Sequence, residues 1–225
     1  FILWLLLTYN IPVKAQLSIN IPTAKKPYTG LPDNLGDSYK FIIIGDLTGG
    51  EVPGVFDYAV QRINELSPDF VMCVGDLIGG YTIDRDTIAQ PCLSLNSTVS
   101  KLEMPFFYMS GNHDVANPVL QKVWNQMYGT AYYTFSINTD LFVVLNTFEP
   151  GVKRGISEQQ EADIKKAILA HPENGRVFVF SHNPMWEQFE KEGIVEIGRL
   201  LQKRNATYFC GHEHRYIHTM YAGQP

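Results

Sequence analysis

Side chains able to bind metal ions follow five short apolar runs of this sequence, each rich in β-forming residues. Each run closes on Gly or Ser, and the next residue carries a carboxylate, an amide or an imidazole. The five runs with their following residues are FIIIG with Asp46, FVMCVG with Asp76, FFYMSG with Asn112, VFVFS with His182 and YFCG with His212. An α/β sheet binds its ligands at the carboxyl ends of neighbouring strands. The recurrence therefore predicts a divalent-metal site of a hydrolase.

These residue types are suited to a pair of metal ions. Two divalent ions can clamp the attacking and leaving oxygens of a phosphoryl transfer when carboxylates, imidazoles and an amide oxygen hold them. Asp76 could bridge the ions, with Asp46 on the first and Asn112 and His182 on the second. The histidines of the turn Gly211–His214 would be divided between the two ions, because His-x-His in a turn can wrap around a metal pair. The candidate ligands are Asp46, Asp76, Asn112, His182, His212 and His214.

The segments between these residues alternate between strand and helix patterns. Apolar runs predict strands at 40–44, 69–74, 105–109, 177–181, 207–210 and 216–221. Helical spacing of apolar residues and a capping box at Ser157 predict helices near 54–66, 117–127 and 157–169, with a fourth helix ending near Gln202. The polar link Asn138-Thr139-Asp140 predicts an antiparallel hairpin of 132–137 and 141–145, so the sheet system should be mixed.

Length and composition indicate one globular catalytic domain. The chain has 225 residues, of which 45% are hydrophobic and 18% charged. A net charge of −5 without a Lys/Arg block lacks the footprint expected of a nucleic-acid binder. We interpret residues 16–38, which contain several Pro and Gly and no apolar periodicity, as a linker. Residues 39–225 are the predicted domain, and a truncated C-terminus is expected because no closing element follows Tyr221.

The first nine residues, FILWLLLTY, are almost wholly apolar. They are too short for a membrane span of about 20 residues. Val13-Lys14-Ala15 has the small-residue spacing of a signal peptidase site. We therefore predict that residues 1–15 are the remnant of a secretory signal and that the protein is exported, to a periplasm or the extracellular space. A buried strand or a membrane anchor is the alternative.

The cysteines do not form a recognisable framework. There are three of them, Cys73, Cys92 and Cys210, and their spacing matches no metal finger. Buried thiols are the favoured interpretation. A Cys73–Cys210 disulfide is the alternative, and it would require the strands that carry them to be adjacent.

Taken in order, the motifs resemble those of the calcineurin-like metallophosphoesterase family over about residues 39–221. The motifs are Gly45-Asp46, Gly75-Asp76, Gly111-Asn112-His113-Asp114, His182 and Gly211-His212-Glu213-His214. The resemblance implies a four-layer α/β/β/α sandwich of two mixed sheets flanked by helices, with the metals at the C-terminal strand ends. It also implies one or two divalent ions drawn from manganese, iron and zinc, and hydrolysis of a small phosphoester by a metal-activated hydroxide.

The resemblance also implies a role for each matching residue. Asp46, Asp76 and His214 would bind the first ion, and Asp76, Asn112, His182 and His212 the second. His113 would be the catalytic imidazole, binding a phosphoryl oxygen or protonating the leaving alcohol, which requires a group that titrates near neutrality. Asp114 would orient His113. An Asp at that position, rather than a Glu, favours the phosphodiesterase-like and phosphatase-like branches over the nucleotidases.

One position departs from the family pattern. The first motif of the family is usually Asp-x-His, whereas this sequence has Asp46-Leu47-Thr48. A hydroxyl is a weaker ligand than an imidazole, so the first ion would keep three protein ligands and one more open position. The purple acid phosphatase branch is disfavoured because Gly79 stands where its tyrosine would be.

Three functional hypotheses remain from the sequence. The first is a metal-dependent phosphoesterase, favoured because a pure binding module has no need of Asn112, His113 and Asp114 together. The second is a catalytically weak or inactive metal-binding module of the same fold, and the third is a cell-surface interaction domain with a purely structural metal. The substrate, the choice between monoester and diester, and the oligomeric state are left open. The loops expected to set specificity are 49–53, 79–103, 115–118 and 183–192.

Overall fold

A computed structural model describes residues 17–20, 25–33, 35–152, 155–185 and 194–220. The segment predicted to be a secretory signal, residues 1–15, lies outside the described residues. The strands are β1 (Leu17–Asn20), β2 (Phe41–Ile44), β3 (Phe70–Cys73), β4 (Phe106–Phe107), β5 (Tyr133–Ile137), β6 (Asp140–Val144), β7 (Arg176–Ser181) and β8 (Asn205–Cys210). The helices are α1 (Val55–Leu66), α2 (Arg85–Val99), α3 (Asn112–Val115), α4 (Pro118–Met127), α5 (Glu158–Ala170) and α6 (Val195–Leu201).

These elements form two sheets flanked by helices, which confirms the predicted fold class. One sheet has the order β1-β5-β6-β7-β8, in which β1, β5 and β6 are antiparallel and β6, β7 and β8 are parallel. The other, β2-β3-β4, is parallel. An antiparallel bridge from Tyr28 to Phe107 extends its edge. The parallel strands of both sheets end close to the candidate ligands.

Phenylalanines on alternate strand positions pack the two sheets together. Phe107 stacks on Phe135 with ring centroids 4.5 Å apart, and Phe70 meets Phe142 edge-on at 5.6 Å. The opposite face of the five-stranded sheet is covered by α5 and α6 through a separate apolar cluster. Alternate residues of a strand point to opposite faces, so each buried strand can contribute to both layers. The sheets are thereby held in a defined relative position.

Helix α2 lies in the segment 79–103, which the sequence analysis treated as a loop. Pro91 lies inside this helix, and this proline and the polar residues of the helix conceal the helical pattern. Asp84 caps it by accepting a hydrogen bond from the Asp86 N–H at 3.1 Å. Its buried stripe consists of Ile88, Cys92, Leu95 and Val99. The expectation of a loop across this whole segment is wrong.

Both ends of the predicted domain also differ from expectation. Residues 17–20, within the predicted linker, pair antiparallel with β5, and Pro27 accepts a hydrogen bond from Tyr108 N–H at 2.9 Å. This pairing is long-range, so the local Pro and Gly content of 16–38 did not reveal it. The strand predicted at 216–221 is not formed over the described residues 216–220, which have no regular secondary structure.

The structure tests the predictions for the cysteines and for membrane-spanning helices. Cys73, Cys92 and Cys210 are free, with the first two buried. A Cys73–Cys210 disulfide is not formed, and the strands that carry the two residues, β3 and β8, are not paired with each other. Within the described parts of the chain, no helix is both long enough and apolar enough to span a membrane.

Candidate metal centre

Strand ends from both sheets deliver the predicted ligands to one place. Asp46 follows β2, Asp76 follows β3 and Asn112 opens α3 after β4. His182 and His212 follow β7 and β8, the parallel pair of the other sheet. Within each sheet the ligands converge because parallel strands end at the same edge.

Four donor atoms form a compact cluster. His182 Nε2 lies 3.0 Å from Asn112 Oδ1, 3.1 Å from Asp76 Oδ2 and 3.2 Å from His212 Nδ1. His212 Nδ1 lies 2.9 Å from Asn112 Oδ1. Donors at the corners of a tetrahedron with metal bonds of about 2.0 Å are about 3.3 Å apart. One carboxylate, one amide oxygen and two imidazoles therefore fit a divalent ion both in spacing and in ligand type.

His182 is oriented by the backbone of the neighbouring sheet. Its Nδ1 lies 2.7 Å from Val74 O, where the ring N–H donates, so Nε2 is left as the ligand atom. The imidazole is fully buried. A methyl group on Gly75 would lie 2.8 Å from this Nδ1, which explains why the neighbouring residue has no side chain. The histidine is thus held in one position before any ion binds.

Backbone N–H groups from the opposite motifs hold the two carboxylates. His212 N–H donates to Asp46 Oδ1 at 2.8 Å, and His113 N–H donates to Asp76 Oδ1 at 2.9 Å. Asp46, Asp76, His212 and His214 all adopt positive φ, between 49° and 76°. Such backbone conformations are uncommon outside glycine and concentrate at functional sites. The ligand turns are therefore shaped to direct their side chains inward.

The predicted first-ion site is more open than this cluster. His214 Nε2 lies 3.8 Å from Asp46 Oδ1, and the His214 side chain is 40% exposed. Thr48, at the position of the family histidine, is buried, and its backbone N–H donates to Asp76 O at 3.1 Å. The structure brings Asp46 and His214 together, and among the described residues no third histidine, cysteine or carboxylate joins them in a compact group. The two halves of the site are therefore unequal.

His113 lies beside the cluster on its accessible side. Its Nε2 is 3.9 Å from Asp76 Oδ2, and its side chain is 23% exposed. The edge of the Tyr81 ring packs against it with centroids 4.5 Å apart. An imidazole that is partly exposed and close to the ligand carboxylate can reach a substrate bound at the metals.

The carboxylate of Asp114 is bound by backbone N–H groups of two neighbouring segments. Its carboxylate accepts hydrogen bonds from Leu77 N–H and Ile78 N–H at 3.0 Å and from Gly111 N–H at 2.7 Å. Complete burial raises the pKa of Asp114 to about 7, although these N–H groups act to lower it. The role of Asp114 in orienting His113 stays a prediction. Asp114 ties the loop after Asp76 to the turn that carries the next ligands.

Two aromatic residues of the site were missed by the sequence analysis. Tyr81 contacts both Asn112 and His113, and Phe148 lies against His182 and His212 with ring centroids 5.7 and 5.8 Å away. The Gly79-Gly80 pair was a signal that the chain passes close to another segment just before Tyr81. No local pattern distinguishes Phe148 from other residues of its loop.

Replacing Gly111 with alanine is expected to destabilise the site. A methyl group there would lie 2.2 Å from Asp76 Oδ1 and 2.5 Å from Asp76 N, and Asp76 Oδ1 is held by the hydrogen bond from His113 N–H. Overpacking of this kind costs about 1–3 kcal/mol of unfolding free energy. Thermal or urea unfolding measures it, with Gly36→Ala as the control, because nothing lies within 4 Å of a methyl group at Gly36. Equal stability of both variants would contradict the tight packing.

Metal uptake by the metal-free protein is expected to weaken as the pH falls. Burial acts to lower the pKa of His182, but the hydrogen bond and charge of Asp76 outweigh it, so the pKa of His182 is raised. A metal ion binds only the neutral imidazole, so protons compete with the metal for His182 below that raised pKa. As the pH rises through the pKa, His182 loses its proton and becomes available to the metal. Chelator-competition titrations between about pH 5 and 8 test this. A constant affinity across that range would contradict the expectation.

Comparisons with known proteins agree with this geometry. The family model described as calcineurin-like phosphoesterase matches residues 39–216, which include every predicted ligand. No curated protein matches the sequence. The fold is similar to the crystal structure of a dimetal phosphatase from Danio rerio, with a TM-score of 0.59 and 15% identity, over 78% of this chain and 82% of that chain. At that identity the likeness to the solved structure concerns the fold alone.

Proposed function

Because the chain belongs to the calcineurin-like phosphoesterase family, we propose that it is a metal-dependent hydrolase of a phosphomonoester or phosphodiester. The observation that carries the proposal is the meeting of Asp76, His182 and His212, whose ligand atoms all lie within 4.8 Å of one another. Asn112 Oδ1 adds the fourth donor, 2.9 Å from His212 Nδ1. A surface turn or a core histidine has no need of this combination.

The ligand residues divide into a compact and an open set. Asp76, Asn112, His182 and His212 would hold one divalent ion, and Asp46 and His214 would hold another with Asp76 shared between them. Oxygen and imidazole donors suit manganese, iron and zinc. Bound ions supply charge for the phosphoryl oxygens and activation of the attacking water.

His113 is the residue we assign to proton transfer. Its partly exposed ring lies 3.9 Å from Asp76 Oδ2, beside the compact set, so it can face a phosphoryl group placed there. It would donate a proton to the leaving alkoxide, a role that an imidazole fills well near neutral pH. The His113 N–H holds Asp76 Oδ1, so this residue also helps to orient the shared carboxylate.

A second candidate is a binding module that takes up one ion and has little turnover. Thr48 favours it, since a buried hydroxyl replaces the family imidazole and leaves Asp46 and His214 as the open set. One ion alone neutralises less of the charge of a transferring phosphoryl group. The two candidates therefore differ in metal stoichiometry and in activity.

One experiment separates these candidates. Metal content per chain is measured with hydrolysis of p-nitrophenyl phosphate and of its bis-ester, before and after chelation and with manganese, iron or zinc restored. Two ions and turnover that chelation abolishes would support the hydrolase and show that Thr48 is tolerated. One ion or none, with no turnover under any added metal, would support the binding module.

Export of the protein is a separate proposal that rests on the sequence. The apolar stretch 1–9 and the spacing Val13-Lys14-Ala15 support a secretory signal cleaved after Ala15. N-terminal sequencing of the mature protein isolated from its native source tests it. A mature N-terminus at Gln16 is expected, and retention of residues 1–15 in the cell-associated protein would oppose it.

A further inference from the structure

Tyr81 contacts two residues of the metal centre at once. Its hydroxyl accepts a hydrogen bond from Asn112 Nδ2, and the edge of its ring packs against the His113 imidazole with centroids 4.5 Å apart. We propose that Tyr81 is a positioning residue, which holds the Asn112 amide for metal binding through its hydroxyl and restrains His113 through its ring. The part that concerns His113 rests on the proposed function, whereas the part that concerns the Asn112 amide does not.

The hydroxyl holds the end of the amide that cannot bind a cation. A side-chain amide offers a lone pair on oxygen and only donors on nitrogen, so Asn112 must turn Oδ1 towards an ion. Oδ1 lies 3.0 Å from His182 Nε2 and 2.9 Å from His212 Nδ1, inside the compact set. Among the described residues, Tyr81 provides the only acceptor in contact with Nδ2. Because Tyr81 holds Nδ2 of Asn112, Oδ1 stays directed towards His182 and His212.

The backbone of Tyr81 adopts an unfavourable conformation at this position. Tyr81 has a φ of 67°, a left-handed conformation that side chains avoid. Gly80 makes the approach possible, because a methyl group there would lie 1.6 Å from His113 O. The loop before Tyr81 is therefore in backbone contact with the turn that carries Asn112 and His113. A strained conformation kept beside a site indicates a functional demand.

Burial does not explain the tyrosine. Its side chain is 61% exposed, so it contributes little to the apolar core. Tyr58 on α1 is exposed to almost the same extent, 60%, and the guanidinium of Arg62 lies 5.1 Å from its ring centroid. These two tyrosines form a matched pair for testing the hydroxyl, since they differ in what the hydroxyl contacts and hardly in exposure.

The test measures metal affinity without turnover. Metal-free wild type, Tyr81→Phe and Tyr58→Phe are titrated with cobalt(II) against a chromophoric chelator, and the visible spectrum of the bound cobalt is recorded. Loss of a residue that orients a metal ligand lowers affinity about 10- to 100-fold. We expect Tyr81→Phe to bind its tightest ion at least about tenfold more weakly with an altered cobalt spectrum, and Tyr58→Phe to match wild type. Unchanged affinity and spectrum in Tyr81→Phe would overturn the amide part of the proposal.

A third variant tests the ring. Tyr81→Leu removes both the hydroxyl and the aromatic edge, whereas Tyr81→Phe keeps the edge. At saturating metal, kcat for p-nitrophenyl phosphate should fall further in Tyr81→Leu than in Tyr81→Phe, with KM similar in both. Equal kcat values would overturn the His113 part. If wild type binds cobalt in a Tyr81-dependent way but hydrolyses nothing, the proposed function fails while the positioning of Asn112 stands.

Discussion

Replacing His113 with alanine is expected to lower kcat for phosphoester hydrolysis by about 10²- to 10⁴-fold, the range for loss of a general acid. The metal content should stay unchanged, because the His113 ring is not among the four clustered donors and its Nε2 is 3.9 Å from the nearest carboxylate oxygen of Asp76. The backbone N–H that holds Asp76 Oδ1 is kept in the alanine variant. Metal analysis and steady-state kinetics on the same preparation measure both quantities.

The choice of substrate identifies the role of His113. An alkyl phosphate has a poor leaving group that needs a proton, whereas p-nitrophenolate leaves without one. The loss in His113→Ala should therefore be larger for glycerol 2-phosphate than for p-nitrophenyl phosphate. His218→Ala, at an exposed histidine in the segment after the last strand, is the control. An equal loss on both substrates would argue that His113 binds the phosphoryl group rather than protonating the leaving group.

Replacing Asp76 with asparagine is expected to remove metal binding and hydrolysis together. The substitution is nearly isosteric and keeps an oxygen that can accept the hydrogen bond from His113 N–H, which lies 2.9 Å from Asp76 Oδ1 in the wild type. It removes the charge of the buried carboxylate, whose pKa is lowered by the hydrogen bond and charge of His182 against the effect of burial. Loss of a residue that only hydrogen-bonds to a metal ligand costs about 10- to 100-fold in metal affinity. Loss of the ligand Asp76 itself should therefore cost more than about 100-fold.

The matched control for that variant is Asp163→Asn. Asp163 is an exposed carboxylate on α5 that accepts a hydrogen bond from Tyr132 OH at 3.0 Å. It should bind metal and turn over substrate like wild type. Isothermal titration with zinc and the p-nitrophenyl phosphate assay give the two readouts. Full metal affinity in Asp76→Asn would mean that the compact set is not the metal site.

Much of the secondary structure near the site was predictable from local patterns. The helices expected near 54–66, 117–127 and 157–169 correspond to α1, α4 and α5, and the hairpin to β5 and β6. These segments carry strong periodicity or caps; the Ser157 hydroxyl, for example, accepts from Gln160 N–H at 3.3 Å. The resemblance to the calcineurin-like family is likewise confirmed. Helix α2 was missed because Pro91 and its polar residues weaken the periodic signal.

The site was predictable in its residue types but not in its geometry. All six predicted ligands and His113 lie around the same strand ends, and their individual roles stay predictions. The sequence analysis could not anticipate that Asp114 binds the backbone of Leu77 and Ile78. It also could not foresee Tyr81 beside Asn112, separated from it by 31 positions. Such contacts depend on how loops from different strands approach one another.

The sequence by itself determined which groups are available and in what local setting. A carboxylate, amide or imidazole directly after a β-forming run stands at a strand end whatever the rest of the chain does, because a strand must turn where its apolar run stops. Tertiary structure alone decided that ends from two different sheets meet, that His182 lies 3.1 Å from Asp76, and that Asp46 and His214 form the more open set. Those distances arise from sheet pairing and core packing between segments far apart in the chain, and no local pattern encodes them.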